Sequence, residues 1–106
     1  MFVVVRDNRF DPEKLVSGAD LIEQFQAAHA AQSGYRGNLT IDAGNGRHLL
    51  VTLWDSEAKA QAARAALEPA IRDFVMPILA EPSKFIGSGE VVYDDLTEDR
   101  STTVRA

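Results

Sequence analysis

Residues 47–57 constrain the fold more than any other stretch, because a strand here would have two faces that are both poorly suited to water. Successive side chains of a strand point to opposite faces. One face is aliphatic and carries Leu49, Val51 and Leu53. The other is mixed, and its members are His48, Leu50, Thr52 and Trp54. The alternation predicts a sheet with helices on the aliphatic face and a second copy of the chain as the cover of the mixed face.

The composition is that of one globular domain, since 106 residues bury enough surface for a single core. A net charge of −5 with scattered basic residues argues against nucleic-acid partners, which need clustered lysine and arginine. The absence of cysteine excludes disulfides and thiolate chemistry and favours a reducing compartment. The apolar residues 2–5 meet Arg6 at once, too soon for a signal peptide or a membrane span. We therefore expect a cytoplasmic protein with no membrane partner.

The periodicity predicts the order strand, helix, strand, strand, helix, strand. The predicted elements are residues 1–6, 17–32, 38–42, the strand ending at Trp54, a helix capped by Asp55 or Ser56, and residues 86–94. Asp11-Pro12-Glu13 resembles a helix start, with Asp11 able to accept a backbone N–H, but Gly18 favours a loop or one frayed turn over residues 10–18. Pro69 and Pro77 are expected to break or bend the second helix. This order is typical of an α+β, ferredoxin-like split βαβ domain with a four-stranded antiparallel sheet. It would occupy residues 1–96 and leave 97–106 as a flexible polar tail.

The hairpin between the second and third strands admits two registers. A two-residue turn at Asn45-Gly46 would place Leu39 and Ile41 on the face of His48. A bulge or an odd-length loop would place them with Leu49 and Val51 instead. We favour the bulge or odd loop, because it gathers the aliphatic side chains on one face.

Three segments give the chain a resemblance to a known family. They are Gln-Ser-Gly-Tyr-Arg-Gly at residues 32–37, Leu-Trp-Asp-Ser-Glu-Ala at 53–58, and the alanine-rich helix that follows. Over residues 2–94 the chain resembles the dimeric α/β-barrel superfamily, and within it the antibiotic-biosynthesis-monooxygenase-like domains. The resemblance implies a homodimer in which two ferredoxin-like sheets pack face to face, with a pocket between sheet and helices in each monomer.

The haem-degrading branch of that superfamily is similar at two positions. It has an asparagine just after the first strand and a tryptophan at the end of the third, which Asn8 and Trp54 match. Its third element, an iron-ligating histidine on the following helix, is missing, since residues 56–80 contain no histidine. The resemblance thus implies haem binding or degradation only without the usual axial ligand.

The candidate catalytic residues are His48 and Asn8. An imidazole can take a proton from a phenol or enol near neutral pH, and an amide can orient a carbonyl or hydroxyl group. The candidate ligand-binding side chains are Trp54, Leu50, Thr52, Tyr35, Phe25 and His29. Each also has an ordinary interpretation: Trp54 as a core or dimer-interface anchor, His29 as a helix-edge packing residue, and His48 as a solvated or hydrogen-bonded side chain.

We assign no metal and no cofactor. Two histidines without cysteine rule out a His-rich site, although a histidine with Asp42 or Asp94 stays open. The leading functional prediction is a cofactor-independent monooxygenase-like protein that binds a small aromatic or polyketide-like ligand. The alternatives are a non-catalytic dimeric ligand-binding or stress-associated module and the haem-binding oxygenase described above.

Overall fold

The computed structural model describes residues 1–96, and the predicted tail at 97–106 lies outside the described residues. Within them, a four-stranded antiparallel sheet carries its helices on one side. The elements are β1 (Phe2–Arg9), α1 (Pro12–Ser17), α2 (Ala19–Ala30), β2 (Tyr35–Gly44), β3 (Arg47–Trp54), α3 (Glu57–Ala70), a π-helical turn (Ile71–Val75), a 3-10 turn (Met76–Ile78) and β4 (Lys84–Glu90).

The strand order is β2-β3-β1-β4, so the first and third strands are central and the hairpin partner β2 lies at one edge. Each neighbouring pair is antiparallel. The two strand–helix–strand units therefore interleave in one sheet, which confirms the predicted ferredoxin-like α+β fold. Of the helices in residues 1–96, none is long and apolar enough to cross a membrane.

Several element boundaries differ from the sequence prediction. β1 continues to Arg9, so Asn8 lies within the strand rather than just after it, and β2 runs over residues 35–44 instead of 38–42. Residues 12–17 form a helix rather than a loop or a frayed turn. The helix start predicted at Asp11 is confirmed, because its carboxylate accepts the backbone N–H groups of Glu13 and Lys14 at 3.0 and 3.1 Å. The last strand ends at Glu90 instead of residue 94. Glu90 lies opposite Phe2, the first residue of β1, and the N–H of Val91 bonds to the carbonyl of Met1.

The second long helix also departs from the prediction at its end. Ser56 caps it, with Oγ accepting the N–H of Lys59 at 3.2 Å, as one of the two predicted caps. Pro69 does not break it, since the helix continues to Ala70. The irregularity expected at that proline appears directly afterwards, as the π-helical turn, and Pro77 lies in the short 3-10 turn where the helical segment ends.

The hairpin combines both features that the sequence offered as alternatives. Asn45 and Gly46 have φ of +56° and +77°, the pattern of a tight two-residue turn. A bulge between Asp42 and Gly44 shifts the register beside it. Leu39 then lies opposite Val51, and the favoured aliphatic grouping is confirmed.

The prediction of which sheet face the helices cover was wrong. Trp54 and Leu50 lie beneath the chain's own helices: Trp54 is 3% exposed and packs with Phe2 and the alanines of α3. Alternation shows which residues share a face but is unchanged when the faces are exchanged. The choice follows from Trp54, whose large ring packs under the small side chains Ala60 and Ala63.

The uncovered side is therefore the aliphatic one, which we call the open face. By strand alternation and cross-strand pairing it comprises Val3, Val5, Leu39, Ile41, Leu49, Val51 and Leu53. Leu39 and Ile41 are 55% and 47% exposed. The single chain thus leaves a contiguous apolar sheet surface in contact with water, on the side opposite to the one predicted.

Candidate ligand cavity between sheet and helices

A cavity of about 860 Å³ lies between the sheet and the helices, within the range of small-molecule sites. Its floor is formed by β1 and β3, since residues two apart on a strand share a face. The floor residues are Phe2, Val4, Arg6, Asn8, Leu50, Thr52 and Trp54. Its roof comes from α2, α3 and the π-helical turn, including Phe25, His29, Ala60, Arg64, Leu67, Ile71 and Val75.

A smaller cavity of about 280 Å³ adjoins the first. The two cavities share Asn8, Leu50, Phe25, His29 and Val75, so these side chains border both spaces. His48 lines only the smaller cavity. A ligand that fills the larger cavity would therefore be bordered by Asn8 but not by His48.

Aromatic rings form a packed wall around Trp54. The ring centroid of His29 lies 5.4 Å from Trp54 and 5.3 Å from both Phe25 and Tyr35. The indole Nε1 of Trp54 donates to Thr52 Oγ1 at 3.0 Å, which satisfies its only polar atom. Burial lowers the pKa of His29 below its usual value, so this ring is neutral at pH 7 and acts there as a packing group.

Asn8 is the most distinctive polar residue of the site. It is only 6% exposed, and its Oδ1 makes no hydrogen bond to any described part of the chain. Asn8 lies directly opposite His48 on β3, and His48 Nδ1 is also buried without a partner among residues 1–96. Buried polar atoms are nearly always satisfied, and an unsatisfied one costs about 1–3 kcal/mol. Both atoms can therefore bond to a ligand without breaking an existing bond.

Most of the side chains predicted for ligand contact meet at the larger cavity, together with Asn8. These are Trp54, Leu50, Thr52, Phe25 and His29. Tyr35 lines neither cavity described above; its ring lies edge-on to Trp54, with centroids 5.6 Å apart, and supports the wall from behind.

Arg6 and Arg64 also line the cavity, although the sequence did not mark either as a site residue. Arg6 Nε donates to Ser83 Oγ at 2.9 Å, and burial, with the nearby Arg64 charge, lowers the pKa of Arg6. The sequence did contain a signal for Arg6, because residues two apart on a strand share a face and Arg6 therefore lies on the same face as Val4 and Asn8. Arg64 gave none, since a charge on a helix is usually solvated.

The residues of α3 do not fit the haem-degrading arrangement. Those that line the cavity are Glu57, Ala60, Gln61, Arg64 and Leu67, and none of them offers the imidazole that ligates iron there. His29, the histidine that does line it, is packed among aromatic rings. No three His, Asp or Glu side chains within residues 1–96 come together as a metal site.

Comparison with solved structures shows the same fold in several proteins. A Nitrosomonas europaea protein assigned as an antibiotic biosynthesis monooxygenase superposes with a TM-score of 0.70 and 19% identity, covering 88% of this chain and 100% of that one. SnoaB, a cofactor-independent oxygenase from Streptomyces nogalater, gives a TM-score of 0.70 at 11% identity, with 88% and 94% covered.

A Caulobacter crescentus CB15 protein with the same assignment as the Nitrosomonas one gives 0.70 at 14% identity, with 87% and 90% covered. No protein-family model matches the sequence. No curated protein matches it either. The chain therefore has the fold of antibiotic biosynthesis monooxygenase domains, as the resemblance implied.

Proposed function

We propose that this chain is a cofactor-independent monooxygenase-like protein that binds a small aromatic or polyketide-like ligand in the cavity beneath its helices. The observation that carries the proposal is the unsatisfied Asn8 amide at the junction of two cavities, paired across the strands with His48. A structural asparagine would have its hydrogen-bonding atoms satisfied within the protein. An unsatisfied Oδ1 facing a largely apolar cavity suits a ligand hydroxyl group, which can donate to it.

The proposed reaction is oxidation of an electron-rich phenol by molecular oxygen. Loss of the phenol proton gives a phenolate, which supplies the electrons that bind O₂ to a ring carbon bearing hydrogen. The carbon-bound peroxide then loses water, so one oxygen atom becomes a quinone carbonyl and the other leaves as H₂O. The phenol is oxidised and O₂ is reduced, and no other reductant is needed.

In this proposal the protein contributes proton removal, orientation and exclusion of water. His48 accepts the phenol proton; Asn8 Oδ1 accepts the phenol O–H before this transfer, and the Asn8 side-chain N–H donates to the phenolate oxygen after it. Trp54, Leu50, Thr52, Phe25 and His29 surround the ring system. Tyr35 keeps the Trp54 ring in place. The cytoplasmic location stays a prediction of the sequence.

Oxygen uptake with dihydroxynaphthalenes tests the proposal. We expect uptake above the protein-free rate, and a loss of about tenfold or more in Asn8→Leu and His48→Ala, since a positioned acid–base or hydrogen-bonding group contributes that much or more. Gln24→Leu makes the same amide-to-leucine change on an exposed position of α2 outside both cavities and should leave the rate unchanged. Equal rates in all of these proteins would refute the oxygenase.

One observation favours the non-catalytic alternative. His48, the candidate base, does not line the larger cavity. The histidine that does line it, His29, is packed among aromatic rings, so a ligand held there has no accessible imidazole base. A binding module would then retain the ligand without oxidising it. Trp54, the only tryptophan, lines the cavity, and quenching of its fluorescence without oxygen uptake would select this alternative.

We also propose that the active assembly is a homodimer closed through the open face. A sheet surface of seven aliphatic side chains without helical cover suits burial against an equally flat, equally apolar copy of itself. A stable interface needs about 800 Å² from each partner, which is on the scale of one face of a four-stranded sheet. Sedimentation of the full chain should give the mass of a dimer at micromolar concentration, and a monomer there would refute the assembly.

A further inference from the structure

The arginines of the described chain fall into two groups. Four of the six in residues 1–96 have a carboxylate oxygen within 4.0 Å: Arg9 with Glu81, Arg36 with Asp55, Arg47 with Asp7, and Arg72 with Asp73. Arg6 and Arg64 have no such partner within the same residues, and both line the larger cavity. The chain has a net charge of −5, and of the arginines in residues 1–96 the two without an acidic neighbour are thus the two that line the candidate site.

Arg6 is held in place before any ligand arrives. Its Nε donates to Ser83 Oγ at 2.9 Å, and its guanidinium carbon lies 5.8 Å from the centre of the Phe85 ring. One edge of the fork is fixed and the remaining N–H groups can bond to another partner. Burial, then the like charge of Arg64, lowers the pKa of Arg6, so the charged form is less well stabilised here than in water.

The acidic side chains of the cavity do not supply the missing anion. Glu81 is engaged by Arg9 at 3.6 Å and by Lys84 at 3.7 Å. Glu57 accepts a hydrogen bond from the side-chain N–H of Gln61 at 3.3 Å, and Glu57 lies about two helical turns before Arg64 on α3. Two like charges that approach from floor and roof are unfavourable alone, and an anion between them relieves both.

We propose that the cavity selects aromatic carboxylates, with the ligand carboxylate held between Arg6 of β1 and Arg64 of α3. A planar guanidinium matches a carboxylate in two parallel hydrogen bonds. The apolar floor and roof accept the ring system beside it. This inference deepens the proposed function and rests on it only in taking the same cavity as the ligand site.

The carboxylate also sets the position of the ring. Arg6 and Asn8 are two residues apart on the same face of β1, which is about 6.6 Å at the usual strand rise. An acid anchored at Arg6 therefore extends its ring system toward the unsatisfied Asn8 amide. A hydroxyl on the far side of one or two fused rings would meet that amide.

Equilibrium dialysis with 2-naphthoate and its neutral counterpart 2-naphthamide tests the proposal. The wild-type chain should bind the carboxylate about tenfold more tightly than the amide, the size of one charge-assisted hydrogen bond. Arg6→Gln should weaken naphthoate about tenfold, and the exposed Arg64→Gln about threefold because solvent screens it. Naphthamide binding should change by less than about twofold in both variants. Arg6→Lys should recover part of the preference.

Arg72→Gln is the matched control, since it removes one positive charge from an exposed residue outside the cavity lining. It should leave both affinities unchanged. Equal wild-type affinity for the two probes would overturn the proposal. So would an equal loss of naphthoate binding in Arg72→Gln, which would mark a net-charge effect, or a parallel loss of both probes in Arg64→Gln, which would mark damage to the cavity.

Circular dichroism shows which variants fold. If Arg6→Gln does not fold, the binding of the two probes to Arg64→Gln decides the test. The outcome is separate from that of the oxygenase proposal. A protein that prefers naphthoate but consumes no oxygen with phenols keeps this inference and loses the reaction. A protein that oxidises neutral phenols without preferring the acid keeps the reaction and loses this inference.

Discussion

Replacing Trp54 by alanine tests whether its ring belongs to the monomer's own core. The side chain is 3% exposed and contacts the core formed by Phe2, Ala60, Ala63 and Leu67. Removing a buried Trp or Phe side chain costs about 3–5 kcal/mol, from lost transfer energy and the cavity left behind. That is a large part of the total of about 5–15 kcal/mol that stabilises a domain of this kind. Trp54→Ala should therefore be close to unfolding.

Trp54→Phe separates packing from hydrogen bonding. It keeps an aromatic ring but loses the Nε1 bond to Thr52 and leaves that hydroxyl with the weaker contact to the Val4 carbonyl at 3.4 Å. We expect a loss of about 1–2 kcal/mol. Leu39→Ala, 55% exposed on the open face, is the control and should change the free energy of monomer unfolding by less than about 1 kcal/mol.

The assay is urea unfolding followed by far-UV circular dichroism, because both Trp54 variants lack the only tryptophan. Measurements over about a tenfold range of protein concentration separate core from interface effects, since loss of a subunit contact depends on concentration and loss of a core contact does not. A Trp54→Ala loss below about 1 kcal/mol, or one that disappears at high concentration, would refute the placement of this ring beneath the helices.

Two further predictions concern the open face and the buried histidine. Val51→Asp puts a charge at the centre of the open face and should convert a dimer to a monomer in sedimentation equilibrium, whereas Val16→Asp on the exposed side of α1 should not; an unchanged mass for both would contradict the dimer. Burial lowers the pKa of His29, so as pH falls the unfolded chain binds a proton at His29 before the folded chain does. The free energy of unfolding should therefore be highest above about pH 6.5 and decrease below it, until His29 is protonated in the folded chain as well. Urea unfolding between about pH 8 and 5 should show a weaker decrease for His29→Phe, and parallel curves would contradict this assignment.

The sequence determined the order of the elements and the partition of side chains between the two faces of the sheet. Both follow from local signals in the sequence. The alternation of side chains in β3 gives the two faces, and the turn residues Asn45-Gly46 mark where β2 ends and β3 begins. That partition also placed the candidate residues His48, Leu50, Thr52 and Trp54 on one face of β3. Asn8 joins this face only in the structure, where β1 continues to Arg9 and Asn8 lies opposite His48.

Only the tertiary structure decided which face the helices cover, because exchanging the two faces leaves the alternation unchanged. The choice depends on how Trp54 fits the alanines of α3, a contact between segments that the sequence does not position relative to each other. The same holds for Arg6 and Arg64. These two arginines come from β1 and α3 to the same cavity, and neither has a carboxylate partner in the described chain. The sequence could not show this, because the neighbours of a charged side chain are set only when the chain folds.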